Sequence, residues 1–183
     1  MTYYGAKELA ASFRTVRNNT IKIAEEIDEK DYGFRATPET RTIGQTLVHI
    51  SNIPRFALGV HRDHKLYTLV GFNFMALFGP IMAEEQNTYS KAEILDRLNQ
   101  GRDEFGSFLD SLTDNFLGET LQQPEGQNPA TKSRFEMIMA AKEHEMHHRG
   151  QLMMMMRMTG GVPPMTRQMM ERLAAMQAAQ SQK

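Results

Sequence analysis

Three of the six histidines of this chain crowd into one stretch, Lys142-Glu143-His144-Glu145-Met146-His147-His148-Arg149-Gly150-Gln151. His144 and His148 are four residues apart, so on a helix both project from one face, about one turn from each other. Two imidazoles at that spacing can reach a single metal ion. Their stripe continues through Met137, Ala141, Leu152 and Met155, which are apolar and so predicted to face a core. An unpartnered polar group in such a stripe costs on the order of 1–3 kcal/mol, and a shared cation would satisfy both rings.

His49 shows the same anomaly earlier in the chain, on a stripe with Thr42, Thr46, Ile53 and Phe56. A lone histidine there can equally be a core residue hydrogen-bonded to a neighbour. A helical bundle, however, easily brings a third ligand from a second helix. The predicted metal ligands are therefore His49, His144 and His148, an arrangement that leaves a coordination position open for water or substrate. His147 lies off the stripe and is expected to be exposed or to support a ligand from behind. His61 and His64 read as surface residues.

The same segment also reads His-Glu-x-x-His through His144, Glu145 and His148, which in zinc metalloproteases supplies two ligands and a glutamate base. Gln151 and Met154 stand where the extended form of that motif needs glycine and histidine. Glu171, the nearest downstream carboxylate ligand, follows the turn Gly160-Gly161-Val162-Pro163-Pro164 on a separate helix. A protease of that class also lays its peptide along a sheet edge, and no strand is evident. Glu145 and His147 remain as candidates for a base, and Arg149 and Gln151 as residues that orient a ligand or an anionic substrate.

The elements that must position these residues are helices. Leu9, Phe13, Val16, Thr20, Ile23 and Ile27 predict a first helix over about 4–29. Ile43, Leu47, Ile50, Ile53 and Phe56 predict a second from Thr42, which Pro54 should kink or shorten. A third is expected over about 90–112, opened by the capping pattern Ser90-x-x-Glu93. A fourth is expected over about 131–159, closed by Gly160-Gly161 and Pro163-Pro164. A shorter helix follows over about 165–179. Residues 61–88, with Gly71, Gly79, Pro80 and many aromatics, predict short helical pieces and loops that act as a lid or a subunit contact. No segment alternates with period two. The reading is all-α: an antiparallel four-helix bundle with an extra C-terminal helix, in one domain over residues 1–183.

Composition agrees with a globular chain: 183 residues, 40% hydrophobic and 23% charged, with a net charge of -1. That charge does not suggest a chain built to neutralise nucleic-acid phosphates, and composition asks for no basic patch. The absence of cysteine excludes disulfides, thiolate metal sites and a cysteine nucleophile. The longest apolar run, Leu66 to Met82, is broken by Gly71, Asn73, Gly79 and Pro80, so no membrane span is expected. The N-terminus lacks a basic region followed by an apolar one, and a cytoplasmic location is expected. The 15 methionines favour helix. Met153, Met154 and Met156 cannot all face one core, so part of that run is expected against another subunit or the C-terminal helix.

Three motifs together resemble the DinB-like superfamily: Thr-Ile-Gly-Gln-Thr-Leu-Val-His over 42–49, Glu-His-Glu-Met-His-His-Arg-Gly-Gln-Leu over 143–152, and Met-Arg-Met-Thr-Gly-Gly-Val-Pro-Pro over 156–164. The resemblance covers about residues 40–165. It implies a four-helix bundle with a metal-binding histidine triad whose ligands fall on His49, His144 and His148. Some members are metal-dependent transferases of low-molecular-weight thiols, one is a thiol-dependent isomerase, and others are described as metal-dependent hydrolases. Members are often homodimers. The resemblance thus implies one divalent transition metal, zinc or nickel first among zinc, nickel, iron and copper, and a small-molecule substrate such as a low-molecular-weight thiol. Two other readings stand beside the enzyme: a non-catalytic, metal-stabilised stress-response or binding protein, and a plain bundle with hydrogen-bonded histidines.

Overall fold

The computed structural model describes residues 4–181. Four long helices form the frame: α1 (Ala6–Glu26), α2 (Ile43–Leu58), α4 (Lys91–Asp110) and α6 (Arg134–Met158). Between them lie α3 (Phe74–Glu84), α5 (Asp114–Gly118) and a hairpin of β1 (Thr120–Gln122) with β2 (Thr131–Ser133), and α7 (Pro164–Ser181) closes the chain. The expected bundle with its C-terminal helix is present. Among the described residues no helix is long and apolar enough to cross a membrane.

Helix directions follow from side-chain pairings. Arg14 pairs with Asp110, while Lys91 Nζ reaches the carbonyls of Glu25 and Ile27 at 2.6 and 2.8 Å, so α1 and α4 are antiparallel. Thr20 bonds Glu145 and Tyr4 stacks edge-on against Phe135, so α1 and α6 run the same way. Ile43 and Leu47 share one core cluster with Ile94 and Leu98, and Leu58 shares another with Phe105 and Leu109. Hence α2 and α4 are parallel, and the chain must travel back along the bundle between them. Residues 59–90 are that return, and α3 lies on it.

The bundle interior is two apolar clusters with a polar layer between. One cluster holds Ile21, Ile23, Leu47, Leu98 and Leu152; the other holds Leu9, Phe13, Phe105, Leu109 and Ile138. Between them lie Arg17 and Glu145, both 0% exposed. Arg17 Nε and Nη2 donate to the Glu145 carboxylate at 2.9–3.0 Å, and Thr20 Oγ1 adds a third donor at 2.7 Å. The guanidinium also donates through Nη1 to the Leu98 carbonyl at 3.2 Å and through Nη2 to the Ile50 carbonyl at 3.1 Å. Four helices therefore meet at one side chain.

Two sequence features make room for it. Pro54 has no N–H to give to the carbonyl four residues back, which is that of Ile50, so Arg17 fills the vacancy. The proline neither breaks nor shortens α2, which runs on to Leu58 and then loosens into a π turn over Gly59–Asp63. At Gly101 a Cβ atom would lie 3.0 Å from Arg17 Nη1, so a side chain there would press on the guanidinium.

Several boundaries differ from the sequence reading. α1 ends at Glu26, not 29, because the chain turns extended at Ile27 and then makes a short 3-10 turn. α6 starts at Arg134, not 131: Ser133 and Glu136 form the capping box, with Ser133 Oγ accepting from the Glu136 amide at 3.1 Å. Thr131 lies instead in β2, one of two three-residue strands too short for any alternation to register. His61 is a further correction. It is 2% exposed, and its Nδ1 accepts from Arg134 Nη1 at 3.0 Å. Arg134 is itself buried, bonds Glu119 at 2.8 Å and lies over the rings of Phe116 and Tyr67. His64 is exposed, as expected.

Replacing Arg17 with Met leaves Glu145 buried and unpaired and should cost about 3–5 kcal/mol in urea unfolding. Adding Glu145→Leu should recover most of that loss. Burial, reinforced by the Arg134 charge, depresses the His61 pKa to about 4. Below the unfolded-state value near 6.5 the unfolded chain binds a proton that the native one refuses, so stability falls as pH drops from about 6.5 toward 4. His61→Gln should remove roughly 2 kcal/mol of the decline between pH 7 and pH 5, read from unfolding midpoints at the two pH values.

Candidate metal centre

His49 projects from the middle of α2 and His144 and His148 from successive turns of α6, at the level of the polar layer. The layer sets this orientation. Glu145 follows His144 by one residue, about 100° around the helix. With Glu145 turned onto Arg17 of α1, the histidine stripe is turned toward α2.

The three rings converge through their Nε2 atoms. His148 Nε2 lies 2.8 Å from His144 Nε2, and His49 Nε2 lies 3.4 Å from it. The three ligand atoms all lie within 4.8 Å of one another. Nitrogens around a tetrahedral zinc are about 3.3 Å apart, given bonds of about 2.0–2.1 Å. The cluster could therefore hold one ion with small adjustments.

Hydrogen bonds on the far side of the rings decide which atoms are free. His49 Nδ1 donates to Glu85 Oε1 at 2.6 Å, and His148 Nδ1 donates to Gln151 Oε1 at 2.7 Å. Each ring thus carries its hydrogen on Nδ1 and turns a lone pair inward from Nε2. His144 Nε2 can donate one hydrogen to only one of those two lone pairs. A cation would satisfy all three nitrogens, and an acceptor behind each ring is the usual support of a metal-bound imidazole. Burial lowers the His148 pKa to about 4, so that ring is neutral at pH 7 and keeps its lone pair; partial desolvation, reinforced by the neighbouring histidines, also lowers that of His144, the most exposed of the three.

The other residues singled out from the sequence are distributed unevenly. Gln151 stands behind His148, and its amide nitrogen lies 3.2 Å from His147 Nε2, so it donates to that ring's lone pair. His147 borders the site but not the triad. Glu145, weighed as a base, is a correction: its carboxylate is wholly buried and taken up by Arg17 and Thr20. Arg149 borders neither cavity described below, and its buried Nε and Nη1 have no partner among the described residues.

Glu85 was not foreseen. It follows the last residue of α3 and also accepts from Arg41 Nε at 3.1 Å. The preceding Glu84 is held by Arg55 and Arg97 at 2.8 and 3.1 Å, so two adjacent carboxylates fasten this end of α3 to the bundle. The available signal was the pair itself, Glu84-Glu85, which closes a long apolar stretch.

Two cavities meet at the triad. One, of about 600 Å³, runs from His49 and His144 along α6 beneath α3. The other, of about 1050 Å³, opens beside His148, His147 and Gln151. Arg41, Met82 and Glu85 border both and form the wall between them.

Comparison with known families gives a match to the DinB superfamily over residues 12–152, a span that contains all three histidines. No curated protein matches the chain.

Glu85→Ala and Gln151→Ala should each weaken zinc binding about 10- to 100-fold, read by competition with a chromophoric chelator. His148→Ala should weaken it far more. Equal affinity in Glu85→Ala and the unmutated protein would refute the role given to Glu85.

Proposed function

The chain belongs to the DinB superfamily, and on that premise we propose that it is a metal-dependent enzyme that transfers a low-molecular-weight thiol to a small electrophile. The observation that carries the reading is the pairing of a three-histidine ligand set among the described residues, with Nε2 atoms facing inward, and a cavity on either side. A structural metal closes its coordination with four protein ligands, whereas a catalytic one keeps a position open. A divalent cation held by His49, His144 and His148, zinc or nickel by preference, lowers the pKa of a thiol so that it reacts at neutral pH.

The chain's own residues bind and orient. Glu85 and Gln151 hold two of the imidazoles in the tautomer that leaves Nε2 free. Arg41, at the wall between the cavities, offers a cation to an anionic group on either reactant. In the reaction the thiol loses its proton to solvent and a sulfur–carbon bond forms. The bond from that carbon to its leaving group breaks at the same time, and the leaving group departs with the electron pair. Two reactants need two places, which favours transfer over hydrolysis, where water alone fills the second.

Elemental analysis of purified protein should show one zinc or nickel per chain, lost in His148→Ala. The metal-loaded protein should consume thiol and electrophile in equal amounts in a screen of cellular thiols against simple alkyl and aryl electrophiles. Absence of metal from the unmutated protein would overturn the reading. Product formed at the same rate without thiol would make it a hydrolase.

A further inference from the structure

The two cavities differ in chemistry. The smaller one is walled by three nearly parallel phenylalanine rings. Phe56 and Phe78 stack with centroids 4.9 Å apart and an interplanar angle of 13°, and Phe74 lies 6.2 and 6.3 Å from them, tilted 25° and 18°. Ile53, Ile81 and Met137 complete this apolar body. Polar groups gather at its two ends. Arg41, His49, Asn52, His144 and Glu85 stand at one, and Gln123, Gln127, Lys132 and Glu136, from the hairpin and the start of α6, stand at the other. Its floor along α6 runs from Glu136 to His144, eight residues or about 12 Å of helix. The larger cavity has Met82, Met154 and Met155 in its wall but also Glu39, Thr46, Gln86 and Gln151, and among the described residues no aromatic ring besides its histidines.

α3 is shaped for the first of these spaces. Phe74, Phe78, Ile81, Met82 and Glu85 fall at offsets of four, seven, eight and eleven residues, one helical face, and all five border the smaller cavity. The face is apolar until its final position. A flat hydrocarbon surface gains most from offset stacking on aromatic rings and from soft, adaptable methionine. A volume of about 600 Å³ lies within the range of sites for small organic ligands.

We propose that the cavity under α3 is the binding site for the electrophile, and that this substrate is a planar, apolar aromatic compound about 10 Å long, lying with its reactive carbon at the histidine end. The larger cavity, which presents more polar surface than the aromatic one, then receives the thiol from the opposite side of the wall. This assignment rests on the transferase reading of the site, but binding to the aromatic cavity requires neither metal nor turnover.

The test therefore uses the full chain, metal-free, with the neutral fluorescent probe N-phenyl-1-naphthylamine. One probe should bind per chain. Ala140→Trp, a substitution at an exposed residue bordering this cavity, fills it and should weaken binding at least tenfold. Phe78→Leu keeps the apolar volume but removes a stacking ring and should weaken binding several-fold. Leu173→Glu, on the exposed face of α7, should leave binding unchanged. Circular dichroism and unfolding midpoints show that each variant is folded. Unchanged binding in folded Ala140→Trp, or loss of binding only in Leu173→Glu, overturns the proposal. Cavity-specific binding in a protein that takes up no metal would instead retain this inference and remove the transferase reading.

Discussion

One buried guanidinium sets the geometry of this molecule. Arg17 reaches a carboxylate on α6 and backbone carbonyls on α2 and α4 from its own place on α1. Taking two charges out of water is costly, and the cost is offset only when the remaining donors and acceptors are satisfied. Here they are, through a threonine hydroxyl and a carbonyl that a proline leaves free. The layer is also directional in a way that an apolar core is not. Leucines tolerate a modest rotation of a helix about its axis, whereas an ion pair held at 2.9 Å on both sides does not. Rotation of α6 is the variable on which the histidines depend.

The covering of the site has a topological origin. Because α2 and α4 run in the same direction, the chain must travel the length of the bundle to join them, and the return segment lies over the face where His49 emerges. α3 can present an apolar face to the cavity and a carboxylate to His49 because both lie on its path. The hairpin contributes in the same manner: the Leu69 amide donates to the Gln122 carbonyl at 2.8 Å, which joins the return segment to β1 and closes the far end of the cavity.

Much of this was legible in the sequence where the determinant was local. Helical spacing of apolar residues gave the four frame helices, and two histidines at one-turn spacing on an apolar stripe marked the site. Helix ends were misplaced for local reasons, whereas the misreadings of single side chains share a cause, which is that their determinants are distant in the chain. His61 resembled a surface residue because its partner Arg134 lies 73 positions away. Glu145 suggested a base within a familiar motif, and only a view of α1 shows that its carboxylate is occupied. Glu85 is visible as a support of His49 only once residues 59–90 are known to double back. Pro54 signalled a kinked or shortened helix by local rules, but α2 runs on to Leu58 and a side chain 37 positions earlier makes use of the carbonyl that it frees.

The return segment bears Glu85 and the aromatic wall but contributes nothing to the layer around Arg17. Frame and cavity wall therefore rest on different residues. Amino-acid changes on the face of α3 that borders the cavity can redraw the chamber while the bonds around Arg17 stay in place. The chamber can change shape at those residues, whereas the waist of the bundle tolerates little.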